Sequence, residues 1–217
     1  MSYPKLRRSA LISALALGAI TGGAVVSLPA LAQAHTFTAD APARGLGRDQ
    51  IGDAAASALF QFDNFGPLSP EYMFQRAAVA GQVAARIGID PVPMQDAWAR
   101  ADLAHQRAVL GGLTQLGVPY RKGTNRAGQG FDCSGLTAFA WGHAGVTLTP
   151  QSAVQIGAAA SRNFDTAQAG DLVYYPGHVS MWLGVGKAIL HAPYTGRNIE
   201  VKIQSGNKSL RLGNPIG

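Results

Sequence analysis

"AGDLVYYPGHVSMWLGVGKAILHAPYTG", residues 169–196, sets short runs of aliphatic and aromatic side chains between proline–glycine and glycine-rich breaks. Such runs read as strands, here 171–175, 178–184 and 187–192, with Pro176-Gly177 and Gly184-Val185-Gly186 as the turns between them. A fourth run, "IEVKI" at 199–203, follows at similar spacing. Upstream the period changes to that of helices. A first helix is expected around Ile51 to Phe62. A second is capped by Ser69 with Pro70 at its first position, carries the stripe Tyr72, Phe74, Ala78, Val79, Val83 and Ile87, and ends at Gly88. A third is expected from about Met94 to Leu116, burying Trp98, Ala101 and Ala108 and stopping at Gly117. Helices first and antiparallel strands afterwards predict an α+β fold.

Between the two halves lies "VPYRKGTNRAGQG", a loop dense in glycine and turn formers, which delivers the chain to "GFDCSGLTAFAW" at 130–141. Asp132 is placed to cap a helix whose positions Leu136, Phe139 and Ala140 share a face. Cys133, in the first turn of that helix, is the single cysteine of the 217 residues. It cannot form a disulfide within the chain, so it is either a small buried hydrophobe or a thiol with chemistry to do.

The compartment sharpens that choice. Lys5, Arg7 and Arg8 precede an apolar run from Leu11 to Leu31 that ends in Ala32-Gln33-Ala34, the pattern of a cleaved export signal over residues 1–34. Residues 35–93 then form an N-terminal leader and helical segment, and 94–217 the main domain. The apolar residues Phe60, Phe62, Phe65, Tyr72, Met73 and Phe74 predict that this helical segment docks on the main domain rather than standing alone. The net charge of +6 falls to +3 once the three basic signal residues are removed. No basic run with interleaved aromatics is present, which argues against nucleic acid as a partner, and no membrane association is expected after signal cleavage.

A cysteine nucleophile needs an imidazole within hydrogen-bond reach and a third polar group to orient it. Of five histidines, His35 falls in the leader, His105 reads as an ordinary packed or solvated helix residue, and His143 lies about 15 Å along the helix from Cys133. His178 and His191 remain. Each sits at an edge of a predicted strand, and pairing through the Gly184–Gly186 turn makes them neighbours able to share a hydrogen bond. Cys133, His178 and His191 lack a recognised metal-ligand spacing, so neither metal nor cofactor is expected.

"GFDCSGL", "TPQSAVQIG" and the stretch quoted first, preceded by "LGVPY", resemble the catalytic core of the NlpC/P60 cysteine peptidases, bacterial cell-wall hydrolases of papain-like fold. The resemblance spans about residues 94–204 with its motifs in order. It implies Cys133 as nucleophile, His178 as general base and His191 as the orienting residue, with a thiol pKa lowered by the helix N-terminus and an adjacent imidazolium. It implies oxyanion contacts from Tyr120 and the Cys133 amide, and substrate contacts from Asp132 and Ser134, although helix capping explains Asp132 equally well. Two departures stand out. Arg121-Lys122-Gly123-Thr124 stands where the family often has x-aromatic-Gly-Gly, losing the aromatic and one glycine and adding two charges suited to an acidic substrate, and Gln151 stands where arginine is common.

The implied activity is hydrolysis of peptidoglycan stem peptides at the γ-D-glutamyl to diamino-acid bond by a protein secreted to the cell wall or periplasm. The rival readings are a non-catalytic wall-binding module, which should lack one of the three site residues, and an amidase or acyl transferase using the same three.

Overall fold

The computed structural model describes residues 49–206 and 209–217; the predicted signal at 1–34, His35 and most of the leader lie outside them. Among the described residues six helices precede or flank a six-stranded sheet, giving the α+β arrangement expected. Helices α1 (Gln50–Phe65) and α2 (Pro70–Arg86) start where Asp49 and Ser69 accept the N–H groups of Ile51 and Tyr72. Ser69-Pro70 acts as read from the sequence.

The third expected helix is two. Helix α3 (Pro91–Arg100) begins at Pro91 rather than near Met94, because both prolines fall in the first turn, where no N–H is required. The chain then turns extended at Ala101, and Asp102 caps α4 (Leu103–Leu113) by accepting the His105 N–H at 2.9 Å. An aspartate that can satisfy a free helix end competes with continuation of the helix before it.

A short ribbon, β1 (Asn125–Arg126) with β2 (Gly130–Phe131), leads into α5 (Cys133–Gly142), and α6 (Ser152–Ala158) follows. The sheet contains β3 (Ala160–Arg162), β4 (Leu172–Tyr175), β5 (His178–Trp182), β6 (Ala188–His191), β7 (Glu200–Ile203) and β8 (Arg211–Asn214). Its order is β3-β8-β4-β5-β6-β7, every pair antiparallel. The four strands read from the sequence are the β4–β7 meander, while α6, β3 and β8 are additional.

One apolar cluster runs from Ile51, Leu59 and Tyr72 through Trp98, Leu110 and Trp141 to Met181, Leu190 and Val201, so the N-terminal helices share a core with the sheet. Helix α1 packs so closely on α4 that a side chain at Gly52 would stand 3.2 Å from the Leu113 carbonyl. Tyr72 donates to Gln106 at 2.7 Å, and Trp98 donates to the Leu183 carbonyl at 2.9 Å. The predicted apolar stripes are only half inward. Phe62 and Tyr72 are buried against each other, whereas Phe60, Phe65, Met73 and Phe74 are exposed.

Candidate active site

Cys133 opens α5 because Asp132 halts the preceding strand and takes the Gly135 N–H at 2.7 Å. The second Asp132 oxygen accepts the Gly123 N–H at 2.8 Å, so one carboxylate pins the 121–124 loop to the helix start. The approach is close enough that a β-carbon at Gly135 would stand 2.2 Å from the Thr124 carbonyl oxygen, a backbone atom that cannot swing aside. Behind this turn, buried Gln155 donates to the carbonyls of Ser134 and Thr149 at 2.9 and 2.7 Å and accepts from Thr137 at 2.6 Å. Nothing in the sequence alone singled out this glutamine; a buried amide with every group satisfied is recognisable only once its partners are in place.

Cys133 is half-buried, and the backbone N–H of Val179 hydrogen-bonds to its sulfur. That contact sets the thiol beside the first residues of β5, next in sequence to His178. His178 and His191 are buried, with His178 Nε2 3.1 Å from His191 Nδ1. Across the β5–β6 pairing Met181 faces Leu190, which sets the two histidines diagonally rather than directly opposite. The His178 ring also stacks on Tyr175 at a centroid distance of 5.0 Å.

The far side of His191 carries two residues the sequence reading missed. Glu200 pairs with His191 in the β6–β7 register, and its Oε1 lies 3.2 Å from His191 Nε2. Its Oε2 accepts from the Arg197 guanidinium. The signal available was the Pro193–Gly196 break, which folds β7 back onto β6, but the register that brings Glu200 to His191 depends on the loop length.

Burial pushes the Cys133 thiol up, and the Asp132 carboxylate adds to this; the N–H groups of Val179, Ser134 and Cys133 pull it down without cancelling the rise. Removal from water thus outweighs the helix-end N–H groups at Cys133, opposite in direction to the lowering that the family resemblance implies. Burial likewise pushes His191 down, against the opposing pull of Glu200.

Tyr120 is held at the site by its N–H, which donates to the Arg197 carbonyl at 2.8 Å, and by its bridge to Phe131. Its hydroxyl is shifted up, first by burial and then by the electrostatic influence of Cys133 and Asp132. Arg121 and Lys122 are exposed on the pinned loop. Ser134, implied as a substrate contact, is buried, its hydroxyl within reach of Asp132 at 3.2 Å and the Pro150 carbonyl at 3.1 Å. Asp132 is similarly engaged as cap and loop clamp. Gln151 is exposed at the start of α6, and His143 ends α5, packed over Gly111 and far along the helix from the thiol.

His105 is neither solvated nor ordinarily packed. It is fully buried, with Nδ1 2.6 Å from Asp102 and Nε2 2.9 Å from Asp171. Burial alone would lower its pKa, but the two carboxylates outweigh it and the value is raised. Among the described residues no group of three or more His, Cys, Asp or Glu is placed to hold a metal ion, and no helix is long and apolar enough to cross a membrane.

The NlpC/P60 family profile matches residues 117–210, which contain Cys133, both site histidines and Glu200. The chain is 31% identical over 196 residues to the peptidoglycan endopeptidase RipB of Mycobacterium tuberculosis, covering 83% of this chain and 71% of that one. It is 36% identical over 106 residues to the peptidoglycan endopeptidase RipA of Mycolicibacterium smegmatis, a match of 42% of this chain but only 21% of that longer protein. A third relative, the γ-D-glutamyl-L-lysine dipeptidyl-peptidase of Bacillus subtilis, is 34% identical over 94 residues, 40% of this chain and 31% of its own.

Proposed function

The chain belongs to the NlpC/P60 family, and from that premise we propose that it is an exported cysteine endopeptidase that hydrolyses peptidoglycan stem peptides. Residues 94–217 carry the catalytic machinery, behind an export signal at 1–34 and the 35–93 segment. The observation that carries the reading is the contact of the Cys133 sulfur with the Val179 N–H, beside a His178 already hydrogen-bonded to His191. A thiol held against the strand that opens with a hydrogen-bonded histidine pair supports reading the three as nucleophile, base and orienting group.

Cys133 is the nucleophile. Its proton passes to His178 and the sulfur attacks the amide carbonyl carbon. The Cys133 amide and the Tyr120 hydroxyl stabilise the oxyanion of the tetrahedral intermediate. His178 returns the proton to the leaving amine as the C–N bond breaks. Water, giving its proton to His178, then cleaves the thioester and regenerates the thiol. His191 orients His178. Arg121 and Lys122 meet the acidic stem peptide, while half-buried Asp132 and buried Ser134 hold loop and helix together at the edge of the site.

The bond proposed is γ-D-glutamyl to diamino acid, supported by the name of the Bacillus relative. Digestion of purified peptidoglycan with fragment identification by mass is the test. New amino termini on the diamino acid are expected from the wild type and none from Cys133→Ala; equal fragment release by Cys133→Ala removes the reading.

A further inference from the structure

The hydrogen bonds beyond His191 determine which nitrogen of His178 is available as a base. Glu200 can only accept at His191 Nε2, because an ionised carboxylate has no proton to give. His191 Nε2 therefore carries its hydrogen. A neutral imidazole has one such hydrogen, which leaves Nδ1 of His191 as an acceptor. The 3.1 Å contact then requires His178 Nε2 to be the donor, and the lone pair of neutral His178 is left on Nδ1. Neutrality of His191 agrees with its buried position between two strands.

We infer that Glu200 is a positioning residue which, through His191, fixes the His178 hydrogen on Nε2 and so keeps Nδ1 as the proton acceptor for Cys133. The inference rests on the proposed catalytic roles but reaches beyond them, since Glu200 touches neither nucleophile nor substrate. Arg197 holds the second carboxylate oxygen and so aims the first. The competing account is a surface ion pair between Glu200 and Arg197 of little consequence, as such pairs commonly are. Three features argue against it. Glu200 faces His191 in strand register, its side chain is only about a quarter exposed, and the oxygen on His191 is not the one on Arg197.

Glu200→Gln separates the two accounts. Arg197 donates, so it holds the amide oxygen and turns the amide NH2 toward His191 Nε2. That nitrogen must then accept, its hydrogen moves to Nδ1, and His178 follows by carrying its own hydrogen on Nδ1. In protein labelled with 15N at histidine, the wild type should show both rings protonated on Nε2, and Glu200→Gln should show both on Nδ1. Cleavage of a peptidoglycan stem peptide should lose about 100-fold in kcat with KM within about twofold. This is less than the ~10⁴ seen when a carboxylate directly on a catalytic histidine is changed to an amide, because one more ring intervenes. Glu200→Asp keeps a carboxylate and should retain the wild-type ring pattern. Unchanged ring protonation in Glu200→Gln overturns the inference, as does altered protonation with kcat within twofold of wild type. If the wild type cleaves no stem peptide, the proposed function fails while the ring spectra still decide whether Glu200 sets the protonation.

Discussion

His105 and His191 are both buried histidines beside carboxylates, and they are poised oppositely. His105 has a carboxylate on each nitrogen. Both ring positions are therefore donors, the cation is favoured, and its pKa is raised despite burial. A ring so held has no lone pair to offer and serves to tie the start of α4 to Asp171 at the head of β4. His191 has one carboxylate and one imidazole; burial wins and its pKa is lowered. The lone pair is passed along to His178 rather than lost. The number of carboxylates around an imidazole, more than its depth, separates a rivet from a relay.

The sharpest break in that comparison is mutational. His178→Ala should lower stem-peptide hydrolysis by on the order of 10⁶-fold, as loss of a reacting group does, with a smaller loss of thermal stability than His105→Ala, because the contact it removes is between two imidazoles and not with two carboxylates. His105→Ala should cost mainly stability. Removing one partner of a buried pair costs about 3–5 kcal/mol, a fall of about 10 °C in Tm for a chain of this size, while the folded fraction keeps its turnover. The pH dependence should differ in sign as well. A raised His105 contributes stability that is full below the unfolded value of ~6.5 and is lost as pH rises through its folded pKa. His191, with a lowered pKa, weakens the fold as pH falls below ~6.5, because the unfolded chain then takes up a proton the folded one refuses. Melting curves from pH 5 to 9 should show the alkaline decline flattened in His105→Ala. A decline identical to wild type would show that His105 is not the cation described.

A smaller effect concerns the thiol. With Cys133 pushed up by burial, the rate of alkylation by iodoacetamide should reach its midpoint above the ~8.5 of a free cysteine. A midpoint near neutrality would restore the standing thiolate–imidazolium pair and shift the proton transfer to before substrate arrives.

Much of the candidate site was legible in the sequence because its members lie on elements with strong local signals. Cys133 follows a capping aspartate, and His178 and His191 bracket a hairpin whose glycine turn sets their distance. The meander strands were legible for the same reason: alternating apolar runs with Pro-Gly and Gly-rich breaks. What escaped depended on tertiary partners. The α3–α4 break turns on Asp102, whose capping role competes with an apolar pattern that runs straight through it. Strands β3 and β8 are short, contain Arg162 and Arg211, and pair with segments remote in sequence. Glu200 read as one more charge in a strand until its register set it against His191, and His105 read as ordinary until Asp171 arrived from the sheet. The exposed Phe60, Phe65 and Phe74 show the converse error, since periodicity identifies a stripe but not how much of it is covered.

The sheet order carries a further consequence, for the time course of assembly. Strands β4 to β7 close as successive hairpins over short loops. By contrast β8 must travel back past all of them to slip between β3 and β4, a long closure that rewards the chain only at its end. The half of the sheet bearing both site histidines can therefore be paired while its other half is still open. Pulse-labelled exchange during refolding should find the amides of β5 and β6 protected before those of β8; simultaneous protection would mean that the last strand is part of the nucleus after all.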